Sequence, residues 1–150
     1  MNKLSDNMGN YWKALHKTAS LSSLHKVCRP SLPMLCNMII NQQHIYAYTR
    51  LLDSITVNSK NKTALDVGCG FGRWCKKLSE AGYKAYGIDI GGSCYIQASA
   101  TAIPFANNTF GVVSSVTVLQ HITRDERDKA LDEIARVMEV GGSLILMEHT

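Results

Sequence analysis

The chain has 150 residues, of which 45% are hydrophobic and 19% charged, with a formal net charge of +4. That length suits one domain with one core, and the composition excludes a chain disordered throughout. No Lys/Arg run exceeds the pair Lys76-Lys77, which argues against a nucleic-acid footprint, and no apolar stretch approaches the roughly 20 residues of a membrane helix.

The opening "MNKLSDNMGNYWKALHK" is polar and lacks the apolar core of a secretory leader. The five cysteines, Cys28, Cys36, Cys69, Cys75 and Cys94, are odd in number and irregular in spacing, which argues against a disulfide framework. A reduced, cytoplasmic protein is the expectation.

In "YWKALHKTASLSSLHKVC" the residues Trp12, Leu15, Ala19, Leu21 and Leu24 stand near helical spacing, and Pro30 and Pro33 end the pattern. The next stretch, 34–55, repeats Leu35, Met38, Ile39, Ile45, Tyr48, Leu52 and Ile55 at threes and fours, which predicts a second helix. "NSKNK", residues 58–62, is a polar joint. Beyond it strands and helices alternate. "TALDV" reads as a buried strand, "RWCKKLSEAG" as a helix closed by Gly82, and "YKAYGID" as a second strand. "CYIQASA" is a candidate third strand and "FGVVSSV" a further one. "TRDERDKALDEIARVMEVGG" predicts a helix with a Thr123–Glu126 capping box, an apolar face of Leu131, Ile134 and Met138, and a stop at Gly141. "SLILMEH" is the last strand. Continuous rather than alternating apolar strands point to a parallel sheet covered on both faces.

Gly68, Gly70 and Gly72 crowd the turn between the first strand and its helix. Glycine there allows positive φ and lets a ligand approach bare backbone, while the helix start presents free N–H groups. Asp89 closes the second strand about 21 positions after Gly68, a spacing at which an acid accepts hydrogen bonds from ribose hydroxyls. The G-x-G-x-G spacing departs from the G-x-G-x-x-G of NAD enzymes and disfavours an NAD-linked oxidoreductase.

"LDVGCGFG", the "IPFANNTFGVVSSVTVLQH" stretch and "LDEIARVMEVGGSLILME" resemble, in order, the motifs of class I S-adenosylmethionine-dependent methyltransferases of the type 11 kind, over residues 63–150. The resemblance implies an α/β, Rossmann-like, doubly wound and mostly parallel sheet of about five strands with N-terminal helices. It divides the chain into a helical cap, 1–58, and an S-adenosylmethionine-binding core, 59–150. It implies methyl transfer to a small-molecule acceptor, with S-adenosylhomocysteine as product. A non-catalytic S-adenosylmethionine-binding module, or a fragment or partner subunit of a methyltransferase, is the alternative.

By the same resemblance Asp66 would face the amino-acid tail of the cofactor, and the backbone of Gly68, Cys69, Gly70 and Gly72 would pass close to it. Asp89 and Ile90 would serve the ribose, Ser99 and Ala100 the adenine edge, and Ser115, Val116 and Thr117 the region of the methyl group. Tyr11, with Trp12, would fold over the cofactor or anchor the core. His149 is a candidate general base for a hydroxyl acceptor. Tyr46 and Arg50, one turn apart, read as a solvated face. His25, Cys28, Cys36 and His44 lack paired zinc spacing, so no metal is expected.

The chain departs from the family at five places, one of them Ser99, where the family often has Asp. Only Gly91, Gly92 and Ser93 separate Ile90 from Cys94, too few for a crossover helix, so the third strand is expected to be rudimentary or to run differently. Gly111 and Val140 replace a usual Asp and Pro. The family sheet has seven strands and this chain stops after the fifth, which leaves an exposed edge and makes a homodimer through it an expectation.

Overall fold

A computed structural model describes residues 10–11, 13–14, 32–56, 60–91 and 96–148. The elements run α1 (Met34–Thr56), β1 (Thr63–Val67), α2 (Arg73–Glu80), β2 (Lys84–Asp89), β3 (Ile96–Gln97), β4 (Phe110–Val116), a short 3-10 turn (Leu119–His121), α3 (Arg124–Val137) and β5 (Met138–Met147). The strands form one sheet in the order β3-β2-β1-β4-β5, and every adjacent pair is parallel. This is the Rossmann-like doubly wound sheet that the alternation of elements implies.

The central strands are apolar because both faces are covered. β4 is buried along its whole length and β1 from its second residue onward. On one face Ala64, Val112, Val116 and Ile145 pack with Trp74 and Leu78 of α2 and with Tyr48 and Leu52 of α1. On the other, Leu65, Val67, Ile88, Phe110 and Val113 meet Ile134 and Val137 of α3. Tyr86, Phe105 and Phe110 close that side edge to face, with centroids 4.9–5.8 Å apart. Arg136 of α3 donates to the carbonyls of Ile103 and Phe105, and Glu133 accepts from the Ile103 amide. The pair thereby staples the loop before β4 to α3, and Arg136 holds the Glu133 carboxyl down at about 2.

Three expectations change, and that of a rudimentary third strand is met. The apolar stripe of the second helix is buried only in its C-terminal half. Tyr48 and Leu52 enter the core, whereas Leu35, Met38 and Ile39 are exposed. The third strand shrinks to two residues, Ile96↔Ile88 and Gln97↔Asp89, consistent with the missing crossover. The last helix does not continue to Gly141. It ends at Val137, and Met138 already pairs with Phe110. Val112 then pairs with Ser143, so residues 139–142 bulge opposite Gly111. Strand pairing overrides helical propensity there. The buried face of this helix is accordingly Ala130, Ile134 and Val137, with Leu131 exposed. Its Thr123–Glu126 capping box forms as expected. Finally, Cys69 is disulfide-bonded, against the reading of five reduced cysteines. Cys36 and Cys75 are free thiols.

Most of the predicted helix over 11–28, with His25 and Cys28, lies outside the described residues. Among those described, no helix is long and apolar enough to cross a membrane.

Tyr48 stacks on Trp74, with centroids 4.4 Å apart, and is the largest side chain fully removed from solvent. Truncating a buried aromatic costs about 3–5 kcal/mol. Tyr48→Ala is therefore expected to lower the urea-unfolding free energy by that amount and to loosen α1 before the sheet.

Candidate functional site at the C-terminal ends of the strands

The turn after β1 is built from left-handed backbone. Gly68, Gly70 and Gly72 have φ of 74°, 51° and 78°, values that side-chain-bearing residues adopt only at a cost. The turn is fastened to the neighbouring strand: the amides of Gly68 and Cys69 both donate to the Ile88 carbonyl, at 2.8 and 3.0 Å. α2 then starts at Arg73 with Gly72 as its N-cap. A Cβ on Gly68 would lie 2.2 Å from Val118 Cγ2, so this glycine is required by close packing as well as by φ.

Asp89 ends β2 beside this turn. Its Oδ2 accepts from the Gly70 amide at 3.0 Å and its Oδ1 from the Gly91 amide at 2.6 Å. An acceptor-only carboxylate is thus oriented at the strand end, almost fully buried. Ile90 follows, half-buried, and its carbonyl accepts from Gln97 Nε2. Ser99 folds into a turn in which its Oγ meets Thr101 Oγ1 at 2.8 Å and accepts from the Thr101 amide. Ala100 packs at the margin of the second core cluster.

Asp66 lies deeper than its place in the motif suggests. It is fully buried, with Ser114 Oγ donating to Oδ1 at 2.8 Å and Cys75 Sγ near Oδ2 at 3.8 Å. Burial pushes its carboxyl up to about 7, against the pull of Ser114, the Arg73 guanidinium and Cys75. Burial also raises the Cys75 thiol and the Tyr48 hydroxyl above their ordinary ranges.

At the end of β4, Ser115 pairs in register with Val67, the residue before the glycine turn. Its Oγ is buried and has no hydrogen-bond partner among the described residues. A buried hydroxyl left this way costs about 1–3 kcal/mol, which marks the place as one where a polar ligand atom fits. Val116 packs into the first core cluster, and Thr117 takes φ of 58°. Tyr11 is exposed, and His149 lies outside the described residues.

The geometry brings together Asp89, the three glycines and the strand ends carrying Asp66 and Ser115. Composition and motif spacing did not single out Arg73, Asn41 or Glu148. Arg73 lies over the Trp74 ring at 4.3 Å and donates to Asn41 Oδ1 at 2.5 Å, joining α1 to the start of α2. Glu148 accepts from three successive amides of the loop after β4. Neither pairing has a local sequence signal, because its partner lies about 30 positions away.

A parallel sheet with a glycine turn and a strand-end acid at its C-terminal edge defines a Rossmann-like protein that binds a nucleoside-type cofactor. Residues 65–146 match the family model described as "Methyltransferase domain", and the chain belongs to that family. A segment of 61 residues is 41% identical to the ubiquinone/menaquinone biosynthesis C-methyltransferase UbiE of Escherichia coli O1:K1 / APEC, covering 41% of this chain and 24% of that protein. The corresponding protein of Klebsiella pneumoniae is 39% identical over the same length. The chain thus matches about a quarter of the length of these curated relatives. Among solved structures, the PH0226 protein from Pyrococcus horikoshii OT3 superposes with a TM-score of 0.61 at 22% identity, over 71% of this chain and 53% of that one. The MccD protein does so with a TM-score of 0.60 at 26% identity, over 67% and 51%.

S-adenosylmethionine is the cofactor that this membership indicates. The chain fits it: the Asp89 carboxylate can accept from hydroxyls, the glycine backbone leaves room for a tail, and the buried Ser115 hydroxyl lacks a partner among the described residues.

Two outcomes follow from the packing and the charge. Gly68→Ala combines a left-handed φ with a clash and should cost at least about 2 kcal/mol. Adding Val118→Ala should recover the part due to the clash and leave the strain, as read by urea unfolding. Asp66 has a folded-state pKa above its unfolded value, so the unfolded chain ionises first as pH rises. Stability should therefore fall between about pH 4 and pH 7 and level off above. Asp66→Asn should remove that slope and be the more stable form at pH 8 in thermal scans.

Proposed function

We propose that the chain transfers a methyl group from S-adenosylmethionine to a small-molecule acceptor. The observation that carries this reading is the Asp89 carboxylate bound to the Gly70 amide, which joins the strand-end acid and the glycine turn into one site. Family membership supports it. The bound cofactor supplies an activated methyl group on a sulfonium; the chain supplies position and shelter from water.

In this reading Asp89 accepts from the ribose hydroxyls, with the Ile90 backbone beside it. The Gly68–Gly72 turn runs along the amino-acid tail, and Asp66 fixes the floor below. Ser99 and Ala100 border the adenine, while Ser115, Val116 and Thr117 border the methyl group. Tyr11 belongs to a cap formed by residues 1–58, and His149 acts as base where the acceptor must lose a proton. The Escherichia coli relative is a C-methyltransferase of ubiquinone/menaquinone biosynthesis, which supports carbon of a small molecule as one acceptor class. A cytoplasmic location and a homodimer through the outer edge of β5 belong to the same proposal. For the homodimer, the support is that β5 is the edge strand of the described sheet and that Val140 and Leu146 are exposed.

Isothermal calorimetry with S-adenosylhomocysteine tests the core of this reading. The folded chain is expected to bind it. Asp89→Ala is expected to weaken binding roughly ten- to a hundredfold, the size of one or two charge-assisted hydrogen bonds. A folded sample that gives no heat overturns the proposal.

A further inference from the structure

Glu148 stands one residue beyond β5, and its carboxylate reaches back over the loop that leaves β4. Oε1 accepts from the amides of Val118 and Leu119, both at 3.0 Å, and Oε2 from the amide of Gln120 at 3.2 Å. These three amides open the 3-10 turn Leu119–His121, where backbone N–H groups have no partner of their own. One carboxylate satisfies all three, and charged acceptors make the stronger bonds.

The loop so held is strained and closely placed. Thr117, β-branched, has φ of 58°, a conformation that such residues rarely adopt. Its amide donates to the Met147 carbonyl at 2.7 Å, and Val116 pairs with Met147 in register. The left-handed residue therefore sits between two attachments to the end of β5. Immediately after it, Val118 lies against Gly68, where a Cβ would come within 2.2 Å of Val118 Cγ2. The glycine turn has no space to shift toward this loop, and its position depends on where the loop stays.

We infer that Glu148 is a positioning residue for the cofactor site: through the amides of Val118, Leu119 and Gln120 it holds the loop after β4 in a strained shape that seats Val118 under Gly68. The inference rests on the S-adenosylmethionine reading of the glycine turn. It connects that turn to the end of β5 through a single side chain. Loss of the clamp lets Thr117 relax toward negative φ, and Val118 then leaves the floor of the turn.

Calorimetry with S-adenosylhomocysteine, paired with amide hydrogen exchange, tests this on the whole chain. Glu148→Gln keeps the shape but places an NH2 against backbone donors. It is expected to weaken binding about tenfold or more, with far-UV circular dichroism unchanged. The amides of residues 118–120 should exchange at least tenfold faster, while those of β1 keep their protection. An E148Q affinity within twofold of the unsubstituted chain overturns the inference. So does a loss that comes with equal loss of protection in β1. If the unsubstituted chain does not bind, the cofactor reading itself falls, and the inference with it.

Discussion

The site depends on one fastening: the Ile88 carbonyl accepts the amides of both Gly68 and Cys69, and the next acid along β2, Asp89, accepts the amide of Gly70. Three successive amides of a turn that would otherwise need solvent are thus bound to the end of the neighbouring strand. Buried backbone donors must find acceptors, and parallel pairing of β1 with β2 puts those acceptors at the right height. These backbone bonds fix the turn against the end of β2, and the disulfide of Cys69 adds a covalent tie. Glycine is needed because the backbone must run left-handed while Val118 fills the space beneath.

Below the turn lies a buried polar cluster that a purely apolar core would not contain. Asp66 faces Ser114 and Cys75 between α2 and the sheet, with the Arg73 guanidinium as the nearby cation that lowers the cost of its charge. Such a group is held by its hydrogen bonds, and losing one would leave an uncompensated acid in the core. Tyr48 and Trp74 seal this side and tie α1 to it. Leu52, Ile45 and Ile55 of α1 add to that seal, while Leu35, Met38 and Ile39 of its first half stay exposed. Through Asn41 the helix also meets Arg73, the first residue of α2.

The two ends of the sheet differ in how they are made. At one end β3 is reduced to two residues beyond β2, since the few residues after Asp89 cannot form a crossover helix. At the other, β5 begins directly from α3 and bulges before it settles into register with β4. That register carries Glu148 to the loop after β4, so the edge strand takes part in shaping the central turn.

Strand–helix alternation, the glycine turn, Asp89 and the Thr123–Glu126 cap are determined by the sequence alone, because each is a local pattern with a local cause: continuous apolar runs, positive φ, a strand-end acid, a reciprocal cap. The burial of Asp66, the break of the last helix at Val137, the exposed half of α1 and the Glu148 clamp were decided only in the tertiary structure. In each of these the deciding partner is distant in the chain: Ser114 for Asp66, Phe110 for Met138, the sheet for α1, and Val118 to Gln120 for Glu148. Local propensity amounts to a few tenths of a kcal/mol per residue, whereas strand pairing and charge-assisted hydrogen bonds amount to about one or more, so the distant partner prevails wherever the two conflict.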